Sequence, residues 1–77
     1  MQYFIEFAVS ALVDKPDEVE IQDSEVRGRD LYEIHVNPGD VGRVIGKKGR
    51  TIKAIRGVVQ TVARHRNQSV QVEIRDR

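Results

Sequence analysis

The residues best suited to chemistry lie in residues 41–52, VGRVIGKKGRTI, where Lys47 and Lys48 stand between two glycines. Glycine adopts positive φ without steric cost and leaves no side chain between the backbone and a ligand, so residues 46–49 predict a sharp, accessible turn. A helix that begins at Arg50 would add unpaired N–H groups with a positive partial charge beside the lysines. This segment therefore predicts a binding site for a phosphate of a nucleic-acid backbone.

A nucleotide-hydrolysing site fits the segment poorly. A P-loop requires the pattern G-x-x-x-x-G-K-[ST]. From Gly42 the chain provides only three residues before Gly46, and Lys48 stands where the magnesium-binding hydroxyl is needed. The spacing therefore argues against a nucleotide-hydrolysing enzyme.

Metal and acid–base sites are not expected either. His35 and His65 are far apart in sequence, and the chain has no cysteine. Glu18, Glu20 and Glu33 fall at outward strand positions, where carboxylates are solvated, whereas acid–base catalysis needs carboxyl groups whose pKa is tuned by burial. We therefore predict no enzymatic activity, no catalytic residue, no metal and no cofactor.

The first element that must support the segment is a helix over residues 2–13. Apolar residues recur there at spacings of one, three and four, which is typical of one face of an amphipathic helix. This face consists of Phe4, Ile5, Ala8, Val9 and Leu12. Tyr3 and Phe7 lie beside it, and we expect them in the core or in an interface rather than stacked on bases.

Two paired strands are predicted next, because apolar and polar residues alternate on both sides of Gly28. The apolar positions are Val19 and Ile21 before the turn and Tyr32, Ile34 and Val36 after it. Val26 has the wrong parity for this pattern, which predicts a bulge or the end of regular pairing near Asp23 and Ser24.

The second half of the chain predicts two helices and a last strand. Asp40 is the expected N-cap of a short helix that leads into the glycine loop. The helix after the loop runs to about Arg66, and its buried side consists of Ile52, Ile55, Val59, Val62 and Ala63. Alternation of Val70, Val72 and Ile74 with polar residues predicts the strand.

These elements follow the order α-β-β-α-α-β. A strand that returns through helices should lie parallel to the preceding strand with a right-handed crossover. We therefore predict an α+β fold in which three helices cover one face of a three-stranded mixed sheet, as a single domain of residues 1–77.

Charge divides the chain into two unlike halves, although the formal total is only +1. Residues 1–37 hold nine acids and three bases, for a net charge of −6. Residues 38–77 hold ten bases and three acids, for a net charge of +7. A basic surface of this kind attracts polyanions and accelerates their association, which favours a nucleic-acid partner over a purely solvated helix face.

Composition and length also bear on the cellular compartment and on the oligomeric state. With no cysteine and no apolar run long enough for a signal peptide or a membrane span, we expect a cytoplasmic protein without membrane contact. At 77 residues the chain is near the lower size limit for an independently stable core, which favours a partner subunit. Val58, beside Gly57 and outside the buried stripe of its helix, is the candidate contact for a homodimer.

The segment VIGKKGRTIKAI resembles the signature of the KH domain, whose GxxG loop holds the backbone of about four single-stranded nucleotides. The resemblance is specific because apolar residues flank the loop on both sides at helical spacing. In length, in element order and in the opening FAVSALVDKPDEVEI, the whole chain resembles the KhpA family of small bacterial single-KH-domain proteins.

The resemblance implies a type II KH domain that binds single-stranded RNA, acts as an RNA chaperone, and serves cell elongation, cell shape and cell-wall homeostasis. It also implies a homodimer and a heterodimer with a larger KH-containing protein of the Jag type. The implied RNA contacts are the phosphate-holding Gly46, Lys47, Lys48 and Gly49, the base-accepting groove of Val44, Ile45 and Ile52, and the flanking Arg43, Arg50 and Lys53.

A second function remains open from the residues alone. The same scaffold would serve as a protein-interaction adaptor whose basic face docks an acidic protein. The intact GKKG sequence counts against this alternative, because an adaptor has no need of glycines on both sides of two lysines.

Overall fold

The computed structural model describes residues 1–76 and consists of three α-helices and a three-stranded sheet. In chain order the elements are α1 (Gln2–Ser10), β1 (Glu20–Val26), β2 (Arg29–Val36), α2 (Val41–Ile45), α3 (Arg50–His65) and β3 (Val70–Asp76). Short 3₁₀ turns at Pro16–Glu18, Pro38–Asp40 and Lys47–Gly49 lead into β1, α2 and α3. The predicted order of elements is confirmed.

The sheet has the order β1-β2-β3, with β2 in the centre. β1 and β2 pair as an antiparallel hairpin, and β3 returns parallel to β2, with Tyr32 opposite Val72. This arrangement is the mixed sheet that the two-helix crossover predicts. Both β1 and β3 are edge strands, so one side of each lacks a neighbouring strand.

One hydrophobic core joins the three helices to one face of the sheet. The two-residue alternation of the strands sends one set of side chains toward the helices, and the 3.6-residue period of α1 and α3 places their apolar stripes against that set. The fully buried members of the core are Ile5, Val9, Ile34, Val36, Val44 and Val59. Helix α3 matches its predicted range, and Ile52, Ile55 and Ala63 on its predicted inner face are buried too.

Helix α1 is shorter and less completely buried than the sequence pattern predicts. It ends at Ser10 instead of residue 13, and of its apolar face only Ile5 and Val9 are buried. Phe4 and Leu12 retain substantial exposure, and Tyr3 and Phe7 are exposed by 86% and 78%. Of the two positions expected for these aromatic residues, the core is therefore wrong, and an interface stays a prediction.

The hairpin is more regular than predicted. Pairing continues without a bulge from Glu20 opposite His35 to Val26 opposite Arg29, across a two-residue turn with positive φ at Arg27 and Gly28. Val26 lies on the helix-free face of the sheet and is half exposed. Val26 breaks the alternation only because its side chain lies on the open face. The predicted irregularity near residues 23 and 24 does not occur.

Candidate nucleic-acid interface

The loop between α2 and α3 has the conformation that its glycines predict. Gly46 has φ 76° and ψ 174°, and Gly49, the residue before α3, has φ 74°. The Gly49 N–H donates to the Gly46 carbonyl oxygen at 3.1 Å and closes the turn. Lys48 between them also has positive φ, at 57°, which is unusual for a residue with a side chain.

A contact with Thr51 explains why position 46 must be glycine. A Cβ atom placed on Gly46 would collide with the side chain of Thr51 in the first turn of α3. Gly49 meets no atom within 4 Å at the equivalent point, so only its backbone conformation favours glycine there. The turn is therefore packed tightly against the start of α3 on one side and open to solvent on the other.

The open side of the turn is strongly cationic. Lys47, Lys48, Arg50 and Lys53 are exposed, and within residues 1–76 none of their side chains takes part in a hydrogen bond or ion pair. The first turn of α3 contains no acidic residue. The four side chains therefore make the start of α3 a cationic surface that no acidic residue of this turn neutralises, at the end of the helix where the dipole is positive. Sequence analysis predicts all four residues, and the fold brings them together around the turn.

Arg43 differs from the other predicted cations. Its guanidinium lies 3.0 Å from Asp14 and 3.6 Å from Asp40, so it is already paired with two carboxylates. Asp40 is buried and accepts hydrogen bonds from the backbone N–H groups of Asp14 and Lys15, at 3.1 Å each. Asp40 is the N-cap residue of α2 as predicted, but its side chain makes no capping hydrogen bond, because the carboxylate instead ties the segment after α1 to the start of α2.

The three apolar residues predicted to accept bases are placed mostly in the core. Val44 is 0% exposed and Ile52 is 5% exposed, so their side chains contact other core residues. Ile45 alone is partly exposed. Val44 and Ile52 hold α2 and α3 against the sheet and so position the loop, while an open groove lies elsewhere.

That groove runs between α3 and the outer edge of β3 and has a volume of about 730 Å³. Two α3 side chains bridge it: the Arg56 Nε–H donates to the Val72 carbonyl at 3.1 Å, and the Gln60 Nε2–H donates to the Val70 carbonyl at 2.6 Å. Residue numbers rise along α3 as they fall along β3, so the other end of the groove approaches the glycine loop. Arg29 and Arg75 also line the groove.

Sequence analysis did not select Arg56 or Gln60 as site residues. Their four-residue spacing places them on one side of α3, and that side faces the last strand of a sheet whose order the sequence predicts. The spacing of the two residues together with the predicted sheet order could therefore have identified them. The two hydrogen bonds to the β3 carbonyl groups depend on how α3 lies across β3, and the periodicity of the sequence does not specify that.

The histidines and carboxylates form no metal centre within residues 1–76. No group of three or more histidine, cysteine, aspartate or glutamate side chains there is placed to hold a metal ion. His35 is half-buried, and its Nε2 is shielded without a hydrogen-bond partner. Over the same residues, the helices lack the length and apolar character that a membrane crossing requires.

Comparisons with known proteins agree with this geometry. The family model described as "KhpA/KhpB, KH domain" matches residues 2–74. The chain is 45% identical to the RNA-binding protein KhpA of Chlamydia trachomatis over 74 residues, which cover 96% of this chain and 95% of that protein. It is 45% identical over 76 residues to the RNA-binding protein KhpA of Clostridium perfringens, covering 96% and 99% of the two chains. The KhpA of Borreliella burgdorferi is 43% identical over 72 residues, covering 94% and 88%. No solved structure matches the chain significantly.

Proposed function

Because the chain belongs to the KhpA/KhpB family of KH domains, we propose that it binds single-stranded RNA through the loop 46–49 and catalyses no reaction. One observation carries this proposal: the turn presents two unpaired lysines directly over the first turn of α3. Relatives named RNA-binding protein KhpA that align over nearly the whole chain support the choice of RNA as the polyanion.

In this mechanism the loop holds the RNA backbone. Lys47 and Lys48 pair with phosphate oxygens, and the backbone N–H groups at the start of α3 donate to the same anion. The open space beside Gly49 lets the phosphate approach the main chain closely, whereas the missing side chain of Gly46 makes room for Thr51. Arg50 and Lys53 extend the positive surface along the first two turns of α3, whereas Arg43 contributes mainly by fixing α2.

The bases follow the groove between α3 and β3, which leads away from the loop. No aromatic side chain of residues 1–76 lies there, so stacking of the kind seen in RRM and OB folds does not supply the affinity. One domain therefore binds weakly, and pairing of two domains raises the affinity through effective concentration. We propose a homodimer that uses the outer face of α3 around Val58, and a heterodimer with a larger KH-containing protein of the Jag type.

The cellular part of the proposal rests on family membership alone. It comprises a cytoplasmic RNA chaperone that serves cell elongation, cell shape and envelope homeostasis. Deletion of the gene with complementation by the wild type and by a loop variant, followed by measurement of cell length, would test it. Equal rescue by both would separate any effect on cell shape from RNA binding.

A charge reversal in the loop tests the proposed RNA contact. We expect Lys47→Asp with Lys48→Asp to abolish binding to fluorescein-labelled single-stranded RNA in an anisotropy titration, because the loop loses its cations and gains anions. Circular dichroism should show an intact fold, since exposed side chains contribute little to the core.

The matched control reverses two cations of the same basic half that lie away from the loop, Arg64→Asp with Arg66→Asp. This variant changes the net charge equally, so it should retain most of the affinity if the loop is the site. An equal loss of RNA affinity in both variants would mean that general charge attraction, and not the loop, accounts for the binding. Unchanged affinity in the loop variant would refute the proposal, and binding that an acidic protein competitor removes but RNA does not would favour the adaptor alternative.

A further inference from the structure

Arg56 occupies an unusual position at the edge of the sheet. β3 is an edge strand, so no neighbouring strand donates hydrogen bonds to the Val70 and Val72 carbonyl groups on its outer side. Gln60 and Arg56, one helical turn apart on α3, fill this role with side-chain donors at 2.6 and 3.1 Å. These two bonds hold both side chains against the floor of the groove.

The bond to Val72 engages only one of the five N–H groups of the Arg56 guanidinium, at Nε. The four N–H groups on the two Nη atoms have no hydrogen-bond or ion-pair partner within residues 1–76. Since the guanidinium is planar, fixing Nε also restricts the direction in which the remaining donors point. The side chain is exposed and lines the groove, so a ligand there meets a pre-oriented pair of donors.

In the described part of the chain, no other residue that lines the groove occupies the free N–H groups of Arg56. Glu73, its one acidic lining residue, is bonded by Arg75 at 2.6 Å and by Gln71 at 2.7 Å. Arg56 lies six residues after the start of α3, which is about 9 Å along the helix axis from the glycine loop. A base of a nucleotide next to the loop-bound phosphate therefore reaches it.

Resting on the proposed RNA binding, we propose that Arg56 makes this site selective for guanine. The two Nη donors match the O6 and N7 acceptors of guanine, which form a bidentate pair with arginine. On this edge adenine keeps N7 but presents an N6 amino donor where guanine has O6, and cytosine presents an N4 donor and no ring-nitrogen acceptor, so neither offers the two acceptors together. On the corresponding edge uracil offers O4 as its one acceptor and is bound through one hydrogen bond.

The test measures anisotropy of four labelled hexamers, UUGGUU, UUAAUU, UUCCUU and UUUUUU, with the wild type and Arg56→Lys. A bidentate contact discriminates by about 1–3 kcal/mol, so the wild type should bind UUGGUU roughly 5- to 150-fold more tightly than UUAAUU. Lysine keeps the charge but loses the planar fork. Arg56→Lys should therefore bring the two affinities to within about twofold, while its affinity for UUUUUU stays nearly unchanged.

Two controls isolate the contact. Arg64→Lys, on the same helix but outside the groove, should keep the wild-type preference. A UUGGUU hexamer with 7-deazaguanine, which lacks the N7 acceptor, should bind the wild type nearly as weakly as UUAAUU.

Equal wild-type affinities for the four hexamers would overturn guanine selection and leave RNA binding intact. Retention of the preference in Arg56→Lys, or with 7-deazaguanine, would likewise overturn the role of Arg56. If the wild type binds none of the hexamers, the proposed function itself fails.

Discussion

Replacement of Gly46 by alanine tests the loop geometry most directly. The φ and ψ values of this residue, 76° and 174°, fall in a region that is essentially confined to glycine, and residues with a Cβ lose about 1–3 kcal/mol there. The new Cβ would also collide with the side chain of Thr51, which must then move away from the start of α3. We expect the free energy of unfolding to fall by at least about 2 kcal/mol, since overpacking adds to the backbone strain.

Two other glycines of the same segment provide matched controls. Gly49→Ala has positive φ but open space around its Cβ, so it should lose only the left-handed backbone penalty of about 1–2 kcal/mol. Gly42→Ala lies inside α2 with no positive φ and open space, so it should stabilise the protein by about 0.5–1 kcal/mol. The expected order of stability is Gly42→Ala, wild type, Gly49→Ala and then Gly46→Ala.

Urea unfolding followed by circular dichroism gives the order of stability, and anisotropy with single-stranded RNA gives the affinity at a temperature where every variant is folded. Gly46→Ala should weaken RNA binding at least tenfold, because displacement of Thr51 disturbs the N–H groups at the start of α3. If Gly46→Ala were as stable as Gly49→Ala, the contact with Thr51 would be unimportant. If it bound RNA like the wild type, the loop would not be the phosphate site.

Three further predictions follow from charge, burial and size. If three to five phosphates are engaged on a single strand, the logarithm of the RNA association constant should fall with the logarithm of salt concentration with a slope of about −2 to −3.5, and a flat response would contradict a phosphate-dominated interface. Val58 is 47% exposed, and Val58→Glu should convert a dimer into a monomer in sedimentation equilibrium with weaker RNA binding; a monomeric wild type at tens of micromolar would remove the proposed α3 interface. The pKa of Tyr32 is raised above 10.0 by burial and then by the charges of Asp23 and Asp30, while Arg66 has a smaller opposing effect. The folded state therefore holds this proton more firmly than the unfolded state. The free energy of unfolding should therefore decline as the pH rises above about 10 in urea titrations, and the same slope in Tyr32→Phe would assign the decline to other groups.

The glycine loop and the sheet order are the parts that the sequence predicts best. The loop is predictable because positive φ at Gly46 and Gly49 is a local property of glycine, and the short crossover permits few topologies. The long helix is predictable because an apolar stripe over sixteen residues has a strong period. The loop and the helix depend on neighbours in sequence, and the sheet order follows from the handedness of the two-helix crossover.

The errors at α1 and at Arg43 involve contacts between residues distant in sequence. Helix α1 ends early, and the chain that follows it is held through the N–H groups of Asp14 and Lys15 by Asp40, more than twenty residues away. The same contact withdraws Arg43 from the group of free cations. The burial of Val44 and Ile52 has a related origin: an apolar residue next to a functional loop gives the same sequence pattern whether it lines a groove or fills the core. Only the packing distinguishes the two, and here it buries Val44 completely.

The distribution of aromatic side chains has a consequence for spectroscopy. The chain has no tryptophan, and three of its four aromatic residues, Tyr3, Phe4 and Phe7, lie on the outer side of α1, while Tyr32 is buried under the helices. Neither tyrosine is near the glycine loop in sequence or lines the α3–β3 groove. Intrinsic fluorescence is therefore insensitive to a ligand at the loop and reports instead on α1 and on the core. A single tryptophan introduced at an exposed position would be the only indole in the molecule, so its emission could be assigned to one chosen surface without background.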